Sequence, residues 1–200
     1  ARTYEEAQKL YDKYSDNTLG VISDARFPLK SAAKAFGNEV MPEEKPKHRT
    51  DTFGREKCPD AGLQLFRYIR KNDPFVPLII ESSESENRAK AEAEGFRFVD
   101  KNSKKMSVDL RRLMEEHMGF GDFIFRDPKT HEEIMRIHSL KELQDNIFNI
   151  PNDSMLYHIS RNHMSRWLCA RAIFPVSAFL KHVTWEKLQD VDAHRQIIFD

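Results

Sequence analysis

The chain has few of the groups that mark an extracellular scaffold, a membrane span or a nucleic-acid binder. Cysteine occurs only twice in 200 residues, at Cys58 and Cys169. Two cysteines so far apart make neither a disulfide framework nor a zinc-ligand pattern. No apolar run approaches the ~18 residues that a membrane helix needs, and no charged-then-apolar leader opens the sequence. Neither sign of charge is in excess: 32 basic and 32 acidic residues cancel, which argues against nucleic-acid binding through a basic face. Repeats and low-complexity tracts are missing too. These absences suggest a reduced, cytoplasmic protein that engages neither membrane nor nucleic acid. The hydrophobic content of 40% suffices for a packed core in one or two domains.

What is present alternates between two periods. Residues 3–14 read as a helix: Ala7, Leu10, Tyr11 and Tyr14 recur on one face, and Thr3 with Glu6 makes a capping box. Residues 19–23 are a short buried strand. Residues 63–71 carry Leu63, Phe66, Ile69 and Arg70 at helical spacing and stop at Asn72-Asp73-Pro74. Strand 76–81, an alanine-rich helix 85–94 closed by Gly95, strand 96–99 and helix 108–118 follow. Strands alternating with helices predict a parallel sheet. A charged, proline-bearing insertion spans about 29–62 and holds Pro42, Pro46 and Pro59. It reads as a solvated loop, or as a lid over whatever follows the first strand.

Gly119 to Gly121 marks a boundary, giving domains at 1–118 and 119–200. Beyond it, strands 122–126 and 133–137 flank the turn Asp127-Pro128. Ser139 caps a helix to about Asn149. Residues 154–173 read as one long amphipathic helix with Leu156, Ile159, His163, Trp167 and Ala170 on a single face. Pro175 opens another helix, and 184–189 forms a further one. No catalytic motif appears in this mainly helical module with its short hairpin. His158 and His163 lie five apart, whereas metal-binding pairs on a helix usually sit four apart, so they read as packing or surface histidines. Arg161, Arg166 and Arg171 spiral round the helix without making a stripe. Trp167 and Trp185 read as packing residues.

The chemistry lies at strand ends in the first module. Gly20-Val21-Ile22-Ser23-Asp24 ends in a carboxylate, and Pro28 follows four residues later. Pro77-Leu78-Ile79-Ile80-Glu81-Ser82-Ser83 ends in hydroxyls, and Phe96-Arg97-Phe98-Val99-Asp100-Lys101 ends in a lysine. Open α/β sheets build their sites at the carboxyl ends of strands, so Asp24, Ser82 and Lys101 form an ordered set. Taken singly, each has a plainer reading: a turn aspartate, a strand-end hydroxyl and a solvated lysine.

That set resembles the receiver domain of bacterial response regulators over about residues 1–118. The resemblance implies a flavodoxin-like α/β fold, truncated here, because the family's first strand and the acidic pair that follows it have no counterpart. It implies that Asp24 is the phosphoacceptor and a partial Mg²⁺ ligand. Ser82 would contact the phosphoryl group, Lys101 the modified carboxylate, and Phe98 would be the switch aromatic. Asn102 stands where the family usually has proline. The implied role is regulatory rather than enzymatic: a receiver that accepts or senses a phosphoryl group from a histidine kinase or phosphotransfer protein and controls an attached output. A pseudo-receiver that docks proteins without phosphorylation is the other reading. A small α/β enzyme using Asp24 and Lys101 is a third. The whole arrangement is also similar to the N-terminal region of some proteins that continue into a pyruvate phosphate dikinase or phosphoenolpyruvate synthase-like module. That likeness rests on Gly119-Phe120-Gly121-Asp122-Phe123 and on Tyr157-His158 to His163. The chain then reads as a piece of a longer protein. The edge of strand 19–23 is expected to be covered by a dimer mate, by part of the insertion, or by Gln196 to Phe199 as a permuted first strand.

Overall fold

A computed structural model describes residues 1–30, 57–181 and 190–200. Most of the 29–62 insertion and the 184–189 helix, with Trp185, lie outside the described residues. The chain divides into two compact units, one of residues 1–74 with 78–106 and the other of 75–77 with 107–200.

The first unit opens with α1 (Tyr4–Tyr14). Thr3 Oγ1 accepts from the Glu6 amide, while the Glu6 carboxylate reaches one residue past the cap to the Arg2 amide. The cap is therefore of the expected kind, displaced by one position on its return arm. The expected apolar face is only partly used. Tyr11 is buried, but Leu10 is 42% exposed and Tyr14 is exposed under the Lys13 ammonium.

β1 (Val21–Asp24), β2 (Leu78–Ser82) and β3 (Arg97–Asp100) form a parallel sheet in that order. β2 is central, and Leu78, Ile79 and Ile80 are buried on both its faces, as a covered parallel strand requires. β1 corrects the sequence reading. It alternates between half-buried and exposed, with Ile22 39% exposed, because it pairs only with β2 among the described residues.

α2 (Ala61–Asn72) buries Leu63, Leu65, Phe66 and Ile69. Its start lies directly on the end of β1: the Gly62 amide donates to the Ala25 carbonyl at 3.0 Å, and a Cβ on Gly62 would come within 2.3 Å of the Asp24 carbonyl oxygen. Only glycine permits that approach. α3 (Glu86–Ala93) ends in a Schellman motif. Gly95 is at φ +73°, its amide donates to Glu92, and the Phe96 amide donates to Ala91. This turn delivers Phe96 edge-on to Phe66, ring centroids 5.3 Å apart, at the start of β3.

The second unit begins with α4 (Met106–His117), of which only Met106 falls in the first. The expected hairpin is β4 (Phe123–Arg126) against β5 (Glu133–Ile137), antiparallel, with an irregularity between Phe125 and Arg126. Asp127 organises the turn by accepting from the Lys129 and Thr130 amides. α5 (Leu140–Asn146) starts at Ser139, whose hydroxyl accepts from the Glu142 amide; Glu142 in turn accepts from the His138 amide, the same displaced capping box as in α1.

The expected 154–173 helix is two helices. α6 (Asn152–Ser160) stops and α7 (His163–Cys169) restarts after Asn162, which sits in the left-handed region at φ +58°. Asparagine tolerates that conformation better than most residues. α8 (Phe174–Lys181) has Pro175 in its first turn, where a missing amide costs nothing. α9 (Val191–Phe199) is a helix over the last apolar run, so Gln196 to Phe199 is not a permuted strand. The core of this unit gathers Phe123, Phe125, Ile137, Leu143, Ile147, Met155, Ile159, Met164, Trp167 and Leu168 around the hairpin and helices.

Candidate active site at the carboxyl end of the sheet

Strand register decides which strand-end groups can meet. Asp24 pairs with Glu81, and Glu81 pairs with Val99. Side chains at paired positions share a face, and positions two apart along a strand share it again. Asp24, Glu81 and Lys101 therefore stand on one face of the sheet, and Ser82 and Asp100 on the other. The ladder extends just past the strands: the Ala25 amide donates to the Glu81 carbonyl, and the Lys101 amide donates to the Ser82 carbonyl, each at 3.0 Å. Both chain ends are thus held where their side chains leave the sheet.

The side chains follow this parity. The Lys101 ammonium forms an ion pair with Asp24 Oδ1 and lies 3.9 Å from Glu81 Oε2. The Asp24 side chain is 55% exposed, Lys101 31% and Glu81 18%. Two carboxylates thus share one ammonium at a solvent-facing sheet end. An ion pair this wet contributes about 0–1 kcal/mol to stability. Its exposure is what keeps the Asp24 oxygens within reach of a solute.

Ser82 turns to the other side. It is buried, and its Oγ accepts from the Glu84 amide at 3.1 Å and from Asn87 Nδ2 at 2.9 Å, fastening the start of α3. Phe98 is half-buried under the Arg88 guanidinium, 4.6 Å from the ring centroid. Asn102, in the position after the lysine, donates from Nδ2 to the Ser83 carbonyl while its amide reaches Asp100. This ties the loop after β3 to the loop after β2. The chain after Asp24 is also tethered, since the Pro28 and Leu29 carbonyls accept from the Tyr4 and Glu5 amides.

Glu81 is the site residue that sequence reasoning passed over. The signal was its position one residue before Ser82. Once β2 is placed beside β1, parity assigns the carboxylate, rather than the hydroxyl, to the side of Asp24.

Among the described residues, no cluster of three or more histidine, cysteine or carboxylate groups is placed to hold a metal ion. Asp24 and Glu81 offer oxygen donors of the kind Mg²⁺ accepts. The Lys101 ammonium lies on Asp24 Oδ1 and 3.9 Å from Glu81 Oε2, so a cation held there would share these oxygens with it. No helix of the described residues is long and apolar enough to cross a membrane. In comparisons with known proteins, no family model, no curated protein and no solved structure matched this chain.

Proposed function

We propose that the first unit is a flavodoxin-like, receiver-like signalling module in which Asp24 accepts or senses a phosphoryl group and so regulates an attached or partner module. A phosphoenolpyruvate or pyruvate phosphotransfer enzyme is the output that the sequence resemblance favours. The observation that carries the reading is the exposed Asp24 carboxylate held by Lys101 at the carboxyl end of a parallel sheet. In the transfer, an Asp24 oxygen attacks phosphorus, the phosphorus–nitrogen bond of a phosphohistidine donor breaks, and the imidazole nitrogen leaves with the electron pair. Lys101, already beside the attacking oxygen, offsets the charge that gathers on the phosphoryl oxygens. Glu81 acts in the opposite sense and holds the ammonium when no phosphoryl group is present.

A second reading, a phosphorylation-independent docking module, is favoured by Ser82. Its hydroxyl oxygen already accepts two hydrogen bonds at the start of α3. One experiment separates the two. The chain is incubated with acetyl phosphate, with and without added Mg²⁺, and acid-labile label on Asp24 is read by mass spectrometry. Label that Asp24→Asn abolishes supports the receiver. Absence of label in both conditions supports the docking module, and label that survives Asp24→Asn overturns the assignment of Asp24.

A further inference from the structure

The break between α6 and α7 brings together two histidines that a continuous helix would hold apart. Five residues on one helix is a rotation of about 140°, yet His158 Nδ1 and His163 Nδ1 lie 3.1 Å apart. The left-handed Asn162 makes this possible by turning α7 back over the end of α6. Both rings pack against Tyr157, and His158 is further enclosed by Phe123 and Phe125.

The hydrogen bonds assign the protons. The Arg126 amide donates to His158 Nε2 at 3.0 Å, so that nitrogen carries the lone pair. A neutral imidazole has one donor and one acceptor. His158 must then hold its proton on Nδ1 and donate it to His163 Nδ1. His163 is left with its proton on Nε2. That N–H has no hydrogen-bond partner among the described residues, and His163 is only half-buried.

The surroundings of this donor are cationic. The Arg161 guanidinium lies 4.2 Å from the Tyr157 ring centroid and makes only 3.5 Å contacts to the Tyr157 carbonyl and Ser160 Oγ. Arg161 is not ion-paired to a carboxylate among the described residues. Burial holds His163 down to about 3, and the charged neighbours that act with it, Arg166, His158, Arg161 and His117, all push the same way. A neutral donor in a positive field complements an anion whose oxygens accept hydrogen bonds.

We propose that the α6–α7 junction binds a phosphate-type oxyanion, with His163 Nε2–H and the Arg161 guanidinium as its donors. The relay from the Arg126 amide through His158 presents the donor, and the αL residue Asn162 sets its position. The site lies wholly within the second unit and is independent of Asp24.

Long-range ¹H–¹⁵N NMR of the histidine-labelled 200-residue chain at neutral pH tests this directly. The expected spectrum has His158 protonated on Nδ1 and His163 on Nε2. Inorganic phosphate should move the His163 Nε2 signal along a saturable curve, which acetate or sodium chloride at matched ionic strength should not reproduce. Arg161→Gln should weaken phosphate binding by about tenfold, the loss of one charge-assisted hydrogen bond. The half-exposed position of Arg161 lets the fold be checked in the same spectra. The opposite His163 tautomer overturns the proposal. So does a phosphate response that is linear or equal to that of chloride, which would leave the histidine pair as packing alone. Equal saturation by acetate overturns the assignment to phosphate-type anions.

Discussion

In the first unit the groups of interest meet at the end of an open sheet, where Asp24 keeps 55% of its side chain exposed beside an ammonium. In the second, His158 is 4% exposed and its hydrogen bonds run to a main-chain amide and a second histidine. The contrast shows how solvent changes what a polar group can do. A wet ion pair is nearly neutral in energy and its partners can separate to admit a solute. A buried imidazole chain fixes proton positions, because each nitrogen must be satisfied and the charged form is penalised.

The largest effect expected from breaking this contrast comes from Trp167. It is buried in the second unit's core, and its indole N–H donates to the Gly121 carbonyl at 2.9 Å. Trp167→Ala should cost about 3–5 kcal/mol. Residue-resolved hydrogen exchange should show the loss among the core amides of the second unit.

Acid sharpens the contrast next. Burial, with Arg126 and Arg161 for His158, holds His158 and His163 down to about 3 from the ordinary 6.5. Between those values the unfolded chain binds protons that the folded one refuses. The histidine contribution is therefore intact above pH 6.5 and is lost progressively as pH falls toward 3. Hydrogen exchange followed from pH 7 to 4 should show the second unit's protection falling as the pH drops below 6.5. His158→Gln should remove part of it.

Gly62→Ala comes third. The added methyl meets the Asp24 carbonyl, which is backbone and cannot swing aside. The cost should be about 1–3 kcal/mol. The Ala25 and Gly62 amides, which brace the end of β1, should exchange faster. The smallest effect should come from Lys101→Ala, which removes the exposed ion pair and should cost about 1 kcal/mol or less by denaturant titration. A loss several times larger would mean that the ammonium is a structural group, and would count against an Asp24 that can exchange partners.

The order of elements was legible because each rests on local chemistry. The Thr3 and Ser139 caps, the Gly95 terminus and the Asp127-Pro128 turn were readable from a few adjacent residues, and so were the apolar runs of β2 and α2. Asp24 and Lys101 were legible as strand ends, and the structure places their charges in contact. The exposure of β1, Leu10 and Tyr14 was not readable, since apolar periodicity reports which residues could be buried and not whether anything covers them. The break at Asn162 escaped because the helical period runs through it undisturbed, while αL tolerance is only a weak local preference of asparagine.

By itself, then, the sequence determined the alternation of strands and helices, the caps and turns that bound them, and the identity of the charged strand ends. All of these depend on interactions within a few residues. Only the tertiary structure decided that Glu81 rather than Ser82 stands beside Asp24, because face is set by the register between strands far apart in the chain. It also decided that His158 and His163 touch, with an amide from β4 on the far nitrogen of His158. That outcome depends on one left-handed residue and on an amide from β4, 32 positions before His158. Long-range geometry of this kind has no local signature for a sequence to display.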